Sequence, residues 1–454
     1  MTEMSADARR AGILLHPTSL PSGDLADVTR WLDFLHASGC TVWQMLPLGV
    51  PLSGLSPYQC ASAFAVNPRL FPSARADMRR FTRWRRAQGY WLEDYARFIV
   101  IKRVHHGASW VDWPAPLRER QPAAMQDFDR DHEAELLAVM TEQYRIYVHW
   151  QGVRRDAAER GIALFGDMPI FVAHDSADVW AHPEQFLLDE TGHPTVVTGV
   201  PPDYFSATGQ RWGNPHYNWP LMQAQGFDWW LDRLRYHFEW FDLVRIDHFR
   251  GLAAAWTIPA SEDTAVNGYW QTVPGAALLE KIQSQMGHIP LVAEDLGIIT
   301  PDVTALRDAF GFPGMAVLQF AFDAHADNPH KPENVGTKTV YYTGTHDNDT
   351  TLGWFTHLPE AVQQQVQQQL NANGEQEVLD VMCSTVLNSR ASMAVLPMQD
   401  ILRLGSEARM NTPGTTTGNW AWRFDWDMLH PDLAPHLLAQ LHQAHRRERQ
   451  PLAV

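Results

Sequence analysis

Eight short runs of mainly apolar residues recur along the chain, and most are almost continuously apolar instead of alternating with polar positions. Such runs are typical of parallel strands buried on both faces of a sheet. They predict eight strands: Gly12–Leu20, Thr41–Leu48, Ala163–Val172, Leu243–Phe249, Pro290–Gly297, Ala316–Phe322, Thr339–Asp347 and Ser392–Asp400.

Helical patterns lie between the predicted strands. Leu25–Ser38 carries an apolar stripe and is followed by Gly39, which suits the left-handed end of a helix. Thr300 and Pro301 form a typical helix start, and that helix is expected to end near Gly311. The other predicted helical stretches are Trp91–Arg103, Glu133–Ala158, Gln363–Gln369 and an apolar stripe over Phe227, Trp230, Leu231, Leu234 and Phe238.

Eight strands alternating with helices are the signature of a (β/α)₈ TIM barrel, an α/β fold whose active site lies at the carboxyl ends of the strands. The alternative is an open doubly wound sheet, but no glycine-rich phosphate loop follows the first strand, and Gly336–Thr339 lacks the spacing of a P-loop. We predict a single catalytic barrel over residues 1–454. Two connections, between the second and third and between the third and fourth predicted strands, are long enough to be mainly helical insertions: 49–162, read as a subdomain, and 173–242, read as a lid over the acceptor site.

The charge balance narrows the choice of ligand. The 454-residue chain has 36 Lys and Arg against 52 Asp and Glu, which gives a net charge of −16. Such a surface repels nucleic acids and anionic membranes. With 19 Trp, 11 Tyr and 20 Phe, the chain is better suited to a neutral ligand with flat faces.

Cysteine usage and hydropathy point to a soluble cytoplasmic protein. Cys40, Cys60 and Cys383 have no CxxC or Cys/His spacing, so neither a disulfide framework nor a thiolate zinc site is expected. The apolar run Ala11–Leu15 is shorter than the roughly 7–15 residues of a signal-peptide core. No run approaches the roughly 18 apolar residues of a membrane span.

Acidic residues follow three of the predicted strands. Arg245 and Asp247 are two positions apart and so share one face of a strand, where the guanidinium favours the ionised carboxylate that a nucleophile needs. Glu294 follows an apolar run, and a carboxyl group with a raised pKa there is a candidate proton donor. Asp347 lies in a third acidic cluster, Thr343–Asp349.

Three carboxylates at three strand ends, in an acidic and aromatic-rich chain, indicate chemistry at a glycosidic bond. That reaction needs one carboxylate as nucleophile or base and another carboxyl as acid. Each cluster alone could equally be a solvated strand end or a salt bridge. His346–Asp349 could also be a metal cluster, but no matching His or Cys ligands stand elsewhere in the sequence.

Ten motifs follow one another along nearly the whole chain: His16–Pro21, Ser56–Gln59, Gly166–Ile170, Pro201–Gln210, Trp212–Pro215, Arg245–Gly251, Ala293–Gly297, Thr345–Asp349, Arg409–Gly414 and Gly418–Arg423. In sequence and in order they resemble the amylomaltases, the 4-α-glucanotransferases of glycoside hydrolase family 77 in the α-amylase clan. The resemblance implies a retaining enzyme that transfers α-1,4-glucan segments between maltooligosaccharides by double displacement.

The resemblance also implies a role for individual residues. Asp247 is the nucleophile that forms a covalent β-glucosyl-enzyme, and Glu294 is the acid/base that protonates the leaving oxygen and then deprotonates the 4-hydroxyl of the acceptor. Asp347 binds the 2- and 3-hydroxyls of the donor sugar and helps to distort it. The remaining substrate-binding residues that the resemblance implies are Tyr58, Asp167, Gln210, Trp212, Arg245, His248, His346 and Asn411.

Transfer in place of hydrolysis requires a mouth that excludes water and holds an acceptor sugar by stacking. The 173–242 segment, with Tyr204, Phe205 and Trp212, is similar to the family's lid over the acceptor site, and rigid aromatic rings suit the flat faces of glucose. Trp212 is predicted to lie in a loop flanked by Gly and Pro. Three other tryptophans are predicted to pack in the core: Trp31, Trp230 and Trp240.

The chain departs from the family's pattern at its periphery. The segment between Phe71 and Trp91 is much shorter than in typical members, and it lacks a tyrosine-bearing stretch that the family uses as a second glucan-binding groove. Ser53–Leu55 stands where Tyr-Gly-Asp is common, and Ala324 replaces an acid. The resemblance therefore implies the core chemistry, but not long-chain binding or the formation of large cyclic glucans.

Two alternative functions are compatible with the same site residues. An α-amylase-like hydrolase would not need a lid that is closed to water, and a non-catalytic glucan-binding protein would not require Asp247, Glu294 and Asp347 together. No metal or organic cofactor is implied. The expected partners are maltooligosaccharides and α-1,4-glucans, and the chain is expected to be a monomer or a weak homo-oligomer.

Overall fold

The computed structural model of the protein describes residues 9–72, 75–203 and 206–446. Its strands are β1 (Arg10–Leu14), β2 (Val42–Gln44), β3 (Ala163–Pro169), β4 (Val196–Val200), β5 (Gln210–Pro215), β6 (Leu243–Asp247), β7 (Ala254–Pro259), β8 (Tyr269–Thr272), β9 (Leu291–Ala293), β10 (Gly314–Val317), β11 (Thr339–Tyr342) and β12 (Met393–Pro397). Its α-helices are α1 (Val28–Ser38), α2 (Phe81–Ala87), α3 (Leu92–Val104), α4 (Ala115–Arg118), α5 (Pro122–Asp131), α6 (Glu133–Glu159), α7 (Ala177–Ala181), α8 (Trp219–Ala224), α9 (Asp228–Trp240), α10 (Gly275–Met286), α11 (Pro301–Ala309), α12 (Thr351–His357), α13 (Glu360–Leu370), α14 (Glu375–Asn388), α15 (Met398–Ile401) and α16 (Leu433–Gln443).

Eight of these strands form a parallel barrel. Their order is β10-β11-β12-β1-β2-β3-β6-β9, and each neighbouring pair is parallel. The ring closes where the backbone N–H of Ala293, the last residue of β9, donates to the carbonyl of Pro313, next to β10, at 2.9 Å. The predicted TIM barrel is therefore confirmed, and the alternative prediction of an open doubly wound sheet is wrong.

Each predicted strand run overlaps one barrel strand, in the predicted order. The observed strands are shorter, because most predicted runs continue past the carboxyl end of the strand. β9, for example, ends at Ala293, whereas its predicted run extends to Gly297. The extra residues belong to loops at the mouth of the barrel. Buried apolar side chains occur there too, so hydropathy alone does not mark where strand pairing stops.

The helices follow the predicted boundaries closely. α1 is followed by Gly39 in the left-handed region with a φ of 77°. α11 begins at Pro301, and Gly311 lies just beyond it with a φ of 70°. The stripe before the fourth barrel strand becomes α9, which buries Trp230, Leu231 and Leu234. Among the described residues, no helix is both long and apolar enough to cross a membrane.

Inward-facing side chains from all eight barrel strands fill the barrel, as expected for a TIM barrel whose centre is a packed core and not a pore. The cluster includes Leu14, Val42, Phe165, Leu243, Val292, Val317, Tyr342 and Val395. Trp31, Trp230 and Trp240 are buried outside this ring, which confirms that they pack in the core.

A second sheet lies beside the barrel. β4 and β5 come from the connection between β3 and β6, whereas β7 and β8 follow β6. The strand order is β5-β4-β7-β8, and each neighbouring pair is antiparallel. The sequence did not predict this sheet, because its strands come from separate stretches of chain and β8 has no buried residue. The connection between β2 and β3 holds α2 to α6 and is mainly helical, as expected, whereas the connection between β3 and β6 holds α7, α8 and α9 but also the strands β4 and β5.

Candidate active site

A buried arginine organises the mouth of the barrel. Arg245, in β6, is only 5 % exposed. Its Nη1 donates to both carboxylate oxygens of Asp167 in β3, at 2.9 and 2.7 Å, and its Nη2 lies 2.8 Å from Oδ1 of Asp247. Arg245 and Asp247 thus share one face of the strand, as predicted. Burial raises the pKa of Asp167, while the positive charge of Arg245 opposes that shift.

Tyr58 connects Asp167, in this ion-pair network, to His346 in the loop after β11. Its hydroxyl donates to Oδ2 of Asp167 at 2.7 Å and lies 2.9 Å from Nε2 of His346. Because a hydroxyl has only one proton, Nε2 of His346 acts as the donor in the second bond. The two rings are stacked, with centroids 5.3 Å apart. Segments that are far apart in sequence are thereby fixed against one another.

Glu294 lies directly after β9, and β9 is the neighbour of β6 in the barrel. The backbone N–H of His248 donates to its Oε2 at 2.7 Å, and that of Leu296 donates to its Oε1 at 3.1 Å. Burial raises the pKa of Glu294 to about 7, with Arg245 opposing the shift and the negative charge of Asp247 adding to it. Near neutral pH this carboxyl can therefore both give and accept a proton.

The third carboxylate, Asp347, lies in the loop after β11 and is held by two neighbouring side chains. Nδ2 of Asn411 donates to Oδ1 of Asp347 at 2.6 Å, and Nε2 of His346 lies 3.4 Å from Oδ2. Arg409 braces both partners through their backbones. Its Nη2 donates to the carbonyl of Asp347 and its Nε to the carbonyl of Asn411, each at 2.7 Å.

Trp212 and His248 form an aromatic group beside Glu294. Their rings meet edge to face with centroids 4.8 Å apart, and Nε1 of Trp212 donates to Oε1 of Gln210 at 3.1 Å. Burial lowers the pKa of His248 to about 4, so the ring is neutral at physiological pH. Trp212 was predicted in a loop, which is wrong: it lies in β5, because that stretch pairs with β4.

Every predicted site residue that the structure describes joins one of these two connected groups. The first contains Tyr58, Asp167, Arg245, Asp247, His346, Asp347 and Asn411. The second contains Gln210, Trp212, His248 and Glu294, and the charges of Arg245 and Asp247 act on Glu294. Tyr204 and Phe205 lie outside the described residues. Within the described ranges, no group of three or more His, Cys, Asp and Glu could hold a metal ion.

Comparison with known proteins agrees with this geometry. The sequence model of glycoside hydrolase family 77, described as 4-alpha-glucanotransferase, matches residues 14–75 and 69–429. The chain belongs to glycoside hydrolase family 77. The family predicted from the motifs is therefore confirmed.

Two bacterial relatives in this family match over almost their full length. The 4-alpha-glucanotransferase of Thermus thermophilus is 45 % identical over 495 residues, which cover 96 % of this chain and 99 % of the relative. That of Synechocystis sp. is 44 % identical over 488 residues, which cover 95 % and 97 %. The structure of the amylomaltase from Streptococcus agalactiae in complex with acarbose superposes with a TM-score of 0.92 at 30 % identity, covering 97 % of this chain and 100 % of that one.

The family alignments also support the shortened segment near Phe71. The family model matches in two pieces that overlap at residues 69–75, at the start of the 71–91 segment predicted to be short. The alignment with the Thermus relative spans 495 positions, more than the 454 residues of this chain, so that relative contains segments that this chain lacks.

Two further residues, both within family motifs, contact the site but were given no role from the sequence. Arg409 begins the motif Arg409–Gly414, and Trp420 lies in Gly418–Arg423. The ring of Trp420 lies 5.9 Å from that of Tyr58 and 6.0 Å from that of His346. The position of Arg409 and Trp420 within the family motifs was the sequence signal that could have predicted their contact with the site.

Replacing Arg409 by Met is expected to lower kcat roughly tenfold, because the carbonyls that align Asp347 and Asn411 lose their donor. Steady-state kinetics on maltotriose, together with the thermal unfolding midpoint, would measure this. The matched control is Arg403→Met, which removes an arginine whose partners are Gln376 and Asp380, outside the site. An unchanged kcat for Arg409→Met would show that Asp347 does not depend on this brace.

Proposed function

We propose that the protein is a 4-α-glucanotransferase that moves α-1,4-glucan segments between maltooligosaccharides. The observation that carries this proposal is a pair of carboxyl groups at the ends of the neighbouring strands β6 and β9, in unlike environments. Asp247 is bound to the buried charge of Arg245, whereas Glu294 is half-buried and its partial loss of solvent raises its pKa to about 7. Such a pair can supply the nucleophile and the acid/base of a retaining glycosyl transfer.

The reaction proceeds in two displacements. In the first, a carboxylate oxygen of Asp247 bonds to C1 of the donor sugar, the C1–O4 bond breaks, and the proton of Glu294 passes to the departing oxygen. In the second, the ionised Glu294 takes the proton of an acceptor 4-hydroxyl as its oxygen bonds to C1 and Asp247 leaves. One α-1,4 bond is broken and one is made, and because each displacement inverts C1, the configuration is retained overall.

The other site residues orient the donor. Asp347 has one oxygen bound to Asn411, so its second oxygen, near His346, is suited to the donor's hydroxyl groups. Asp167 holds Arg245 in place, and Tyr58 holds both Asp167 and His346, through hydrogen bonds. Their mutual hydrogen bonds fix the site before substrate binds, which lowers the cost of reaching the transition state.

Transfer in place of hydrolysis requires an acceptor sugar next to the intermediate. Trp212 is half-buried, packs against His248 and lies on a strand, so its ring is ordered in advance and suits stacking against glucose. We propose that Tyr204 and Phe205, in the same connection, complete this acceptor site. Because these three aromatic residues lie in the connection 173–242, we propose that this connection is the lid over the acceptor site. The connection 49–162, which carries Tyr58, is proposed to be a subdomain beside the mouth of the barrel.

Incubation of the purified protein with maltotriose tests the proposal. Transfer conserves the number of reducing ends, so we expect glucose and a ladder of longer oligomers to appear while total reducing sugar stays constant. Glucose and maltose with rising reducing sugar would identify a hydrolase instead. Unchanged maltotriose that still binds would identify a non-catalytic glucan-binding protein.

The pH dependence of kcat/KM is expected to fall above about pH 7. The first displacement needs the protonated form of Glu294, whose pKa is about 7, and each further pH unit removes most of that form. A rate profile between pH 5 and 9 on maltotriose would measure this limb. A profile that stays flat through pH 9 would contradict the assignment of Glu294 as the acid.

We further propose that the protein acts in the cytoplasm, as a monomer or a weak homo-oligomer, on maltooligosaccharides and longer α-1,4-glucans. Cys40, Cys60 and Cys383 are free thiols, which suits a reducing compartment. Cell fractionation and sedimentation at several protein concentrations would test them.

A further inference from the structure

The carboxyl group of Asp400 is buried at the carboxyl end of the barrel and takes no part in the proposed reaction. Asp400 lies in α15, directly after β12, and is only 3 % exposed. Its Oδ2 accepts hydrogen bonds from the hydroxyls of Thr343 at 2.6 Å and Thr351 at 2.7 Å. Its Oδ1 accepts a third hydrogen bond, from the backbone N–H of Thr351 at 2.8 Å.

The two threonines lie at the two ends of one loop. Thr343 is the first residue after β11, Thr351 is the first residue of α12, and both are fully buried. We call the residues between them, 344–350, the donor loop, because it carries His346 and Asp347. A single carboxyl group therefore holds both ends of the donor loop at once.

Hydrogen bonds inside the donor loop fix its shape. Oδ1 of Asn348 accepts from the backbone N–H and from the hydroxyl of Thr345, both at 2.9 Å. The same Thr345 oxygen accepts from the backbone N–H of Asp347 at 3.3 Å. Because the loop is tied to itself in this way, a shift of its ends would carry Asp347 with it. The brace from Arg409 aligns Asp347 locally, whereas Asp400 sets where the loop as a whole begins and ends.

A carboxyl group suits this place better than an apolar side chain. The three hydrogen bonds to Asp400 come from neutral donors, and an apolar residue of similar size would leave those buried donors unpaired. Burial raises the pKa of Asp400, and the hydrogen bonds from Thr343 and Thr351 oppose that shift. Burying a carboxyl costs solvation energy that packing alone does not require, and a fully satisfied polar cluster makes its surroundings rigid.

We propose that Asp400 is a positioning residue for the donor sugar, which clamps the donor loop so that Asp347 and His346 meet the sugar in a fixed geometry. Asp400 acts through these two residues and does not touch the substrate. The inference rests on the proposed function, in which Asp347 binds hydroxyl groups of the donor. A misplacement of about 1 Å in the site can cost roughly 10²-fold in rate, so a clamp outside the site can have a large effect.

The first test is a series of substitutions in the clamp. Asp400→Ala is expected to lower kcat/KM for maltotriose roughly tenfold. Asp400→Asn should retain most of the activity, because its amide oxygen can accept from the N–H of Thr351 while its amide nitrogen donates to the two hydroxyls, which can rotate. Thr343→Val keeps the volume but removes one donor, so we expect a loss of roughly threefold. The matched control is Thr257→Val, a fully buried and hydrogen-bonded threonine of β7.

A double-mutant cycle separates positioning from a purely structural role. Maltotriose binding is measured by calorimetry on Glu294→Gln protein, which is not expected to turn the sugar over. We expect Asp400→Ala to weaken binding roughly fivefold when Asp347 is present, and less than about twofold when Asp347 is already replaced by Asn, because no group is then left to position. If Asp400→Ala does not fold, as judged by its thermal unfolding, Thr343→Val takes its place in the same cycle.

Three results would overturn the inference. Equal losses of binding in the two Asp347 backgrounds would make Asp400 a packing residue only. A loss of kcat/KM that Asp400→Asn shares in full would mean that the charge matters and not the clamp. An unchanged kcat/KM in Asp400→Ala would mean that the donor loop keeps its place without it. If the wild-type protein leaves maltotriose unchanged, the proposed function fails, but the binding cycle still decides the role of Asp400.

Discussion

Replacing Glu294 by Gln is expected to lower kcat for maltotriose disproportionation roughly 10²- to 10⁴-fold, the usual contribution of a general acid/base. The amide is close in size to the carboxyl, but it cannot deliver a proton to the leaving oxygen or take one from the acceptor. Binding of maltotriose, measured by calorimetry, should change less than about twofold, because Asp347 and Trp212 are untouched. Glu280→Gln, an exposed position on α10, is the matched control.

A donor with a better leaving group makes this prediction sharper. Fluoride leaves without a proton, so α-maltosyl fluoride should still glycosylate Asp247 in Glu294→Gln. The second displacement then stalls, because no base activates the acceptor hydroxyl, and a maltosyl adduct should appear in the intact-protein mass. Azide, which needs no base, should release it. An equal loss of rate with maltotriose and with the fluoride would contradict the role of Glu294 as the acid.

The sequence predicts the barrel and its chemistry well where the cause is local. Buried parallel strands need continuous apolar runs, and the two-residue period of a strand places Arg245 and Asp247 on one face. The bond between them, at 2.8 Å, follows from that period. Family motifs then extend the prediction to residues whose roles depend on neighbours from elsewhere in the chain.

What the sequence misses depends on contacts between distant segments. Arg409 acts on backbone carbonyls, whose positions are set by the path of two loops and not by any side-chain pattern. Trp212 is in a strand only because residues 210–215 pair with β4. β8 carries no apolar periodicity that would mark it as a strand, since its residues are not buried. The pKa of Glu294 likewise follows from burial in the folded mouth.

Replacing Asp247 by Asn is expected to remove activity more completely than any other single change, lowering kcat at least roughly 10⁴-fold. An amide oxygen cannot form the glycosyl ester, so α-maltosyl fluoride and maltotriose should both fail and no adduct should appear in the intact-protein mass. This outcome separates a nucleophile from the acid/base, because only the Glu294 variant should accumulate the adduct. Asp432→Asn, whose side chain is 90 % exposed, is the control.

The same substitution should also change the titration of Glu294. Asp247 shares the charge of Arg245 and its own negative charge raises the pKa of Glu294, so its loss leaves Arg245 free to stabilise the ionised Glu294. We therefore expect the pKa of Glu294 to fall below 7 in Asp247→Asn, which carboxyl-region NMR or infrared titration would detect. An unchanged pKa would mean that the two carboxyls are too far apart to interact, and a double displacement between them would then be untenable.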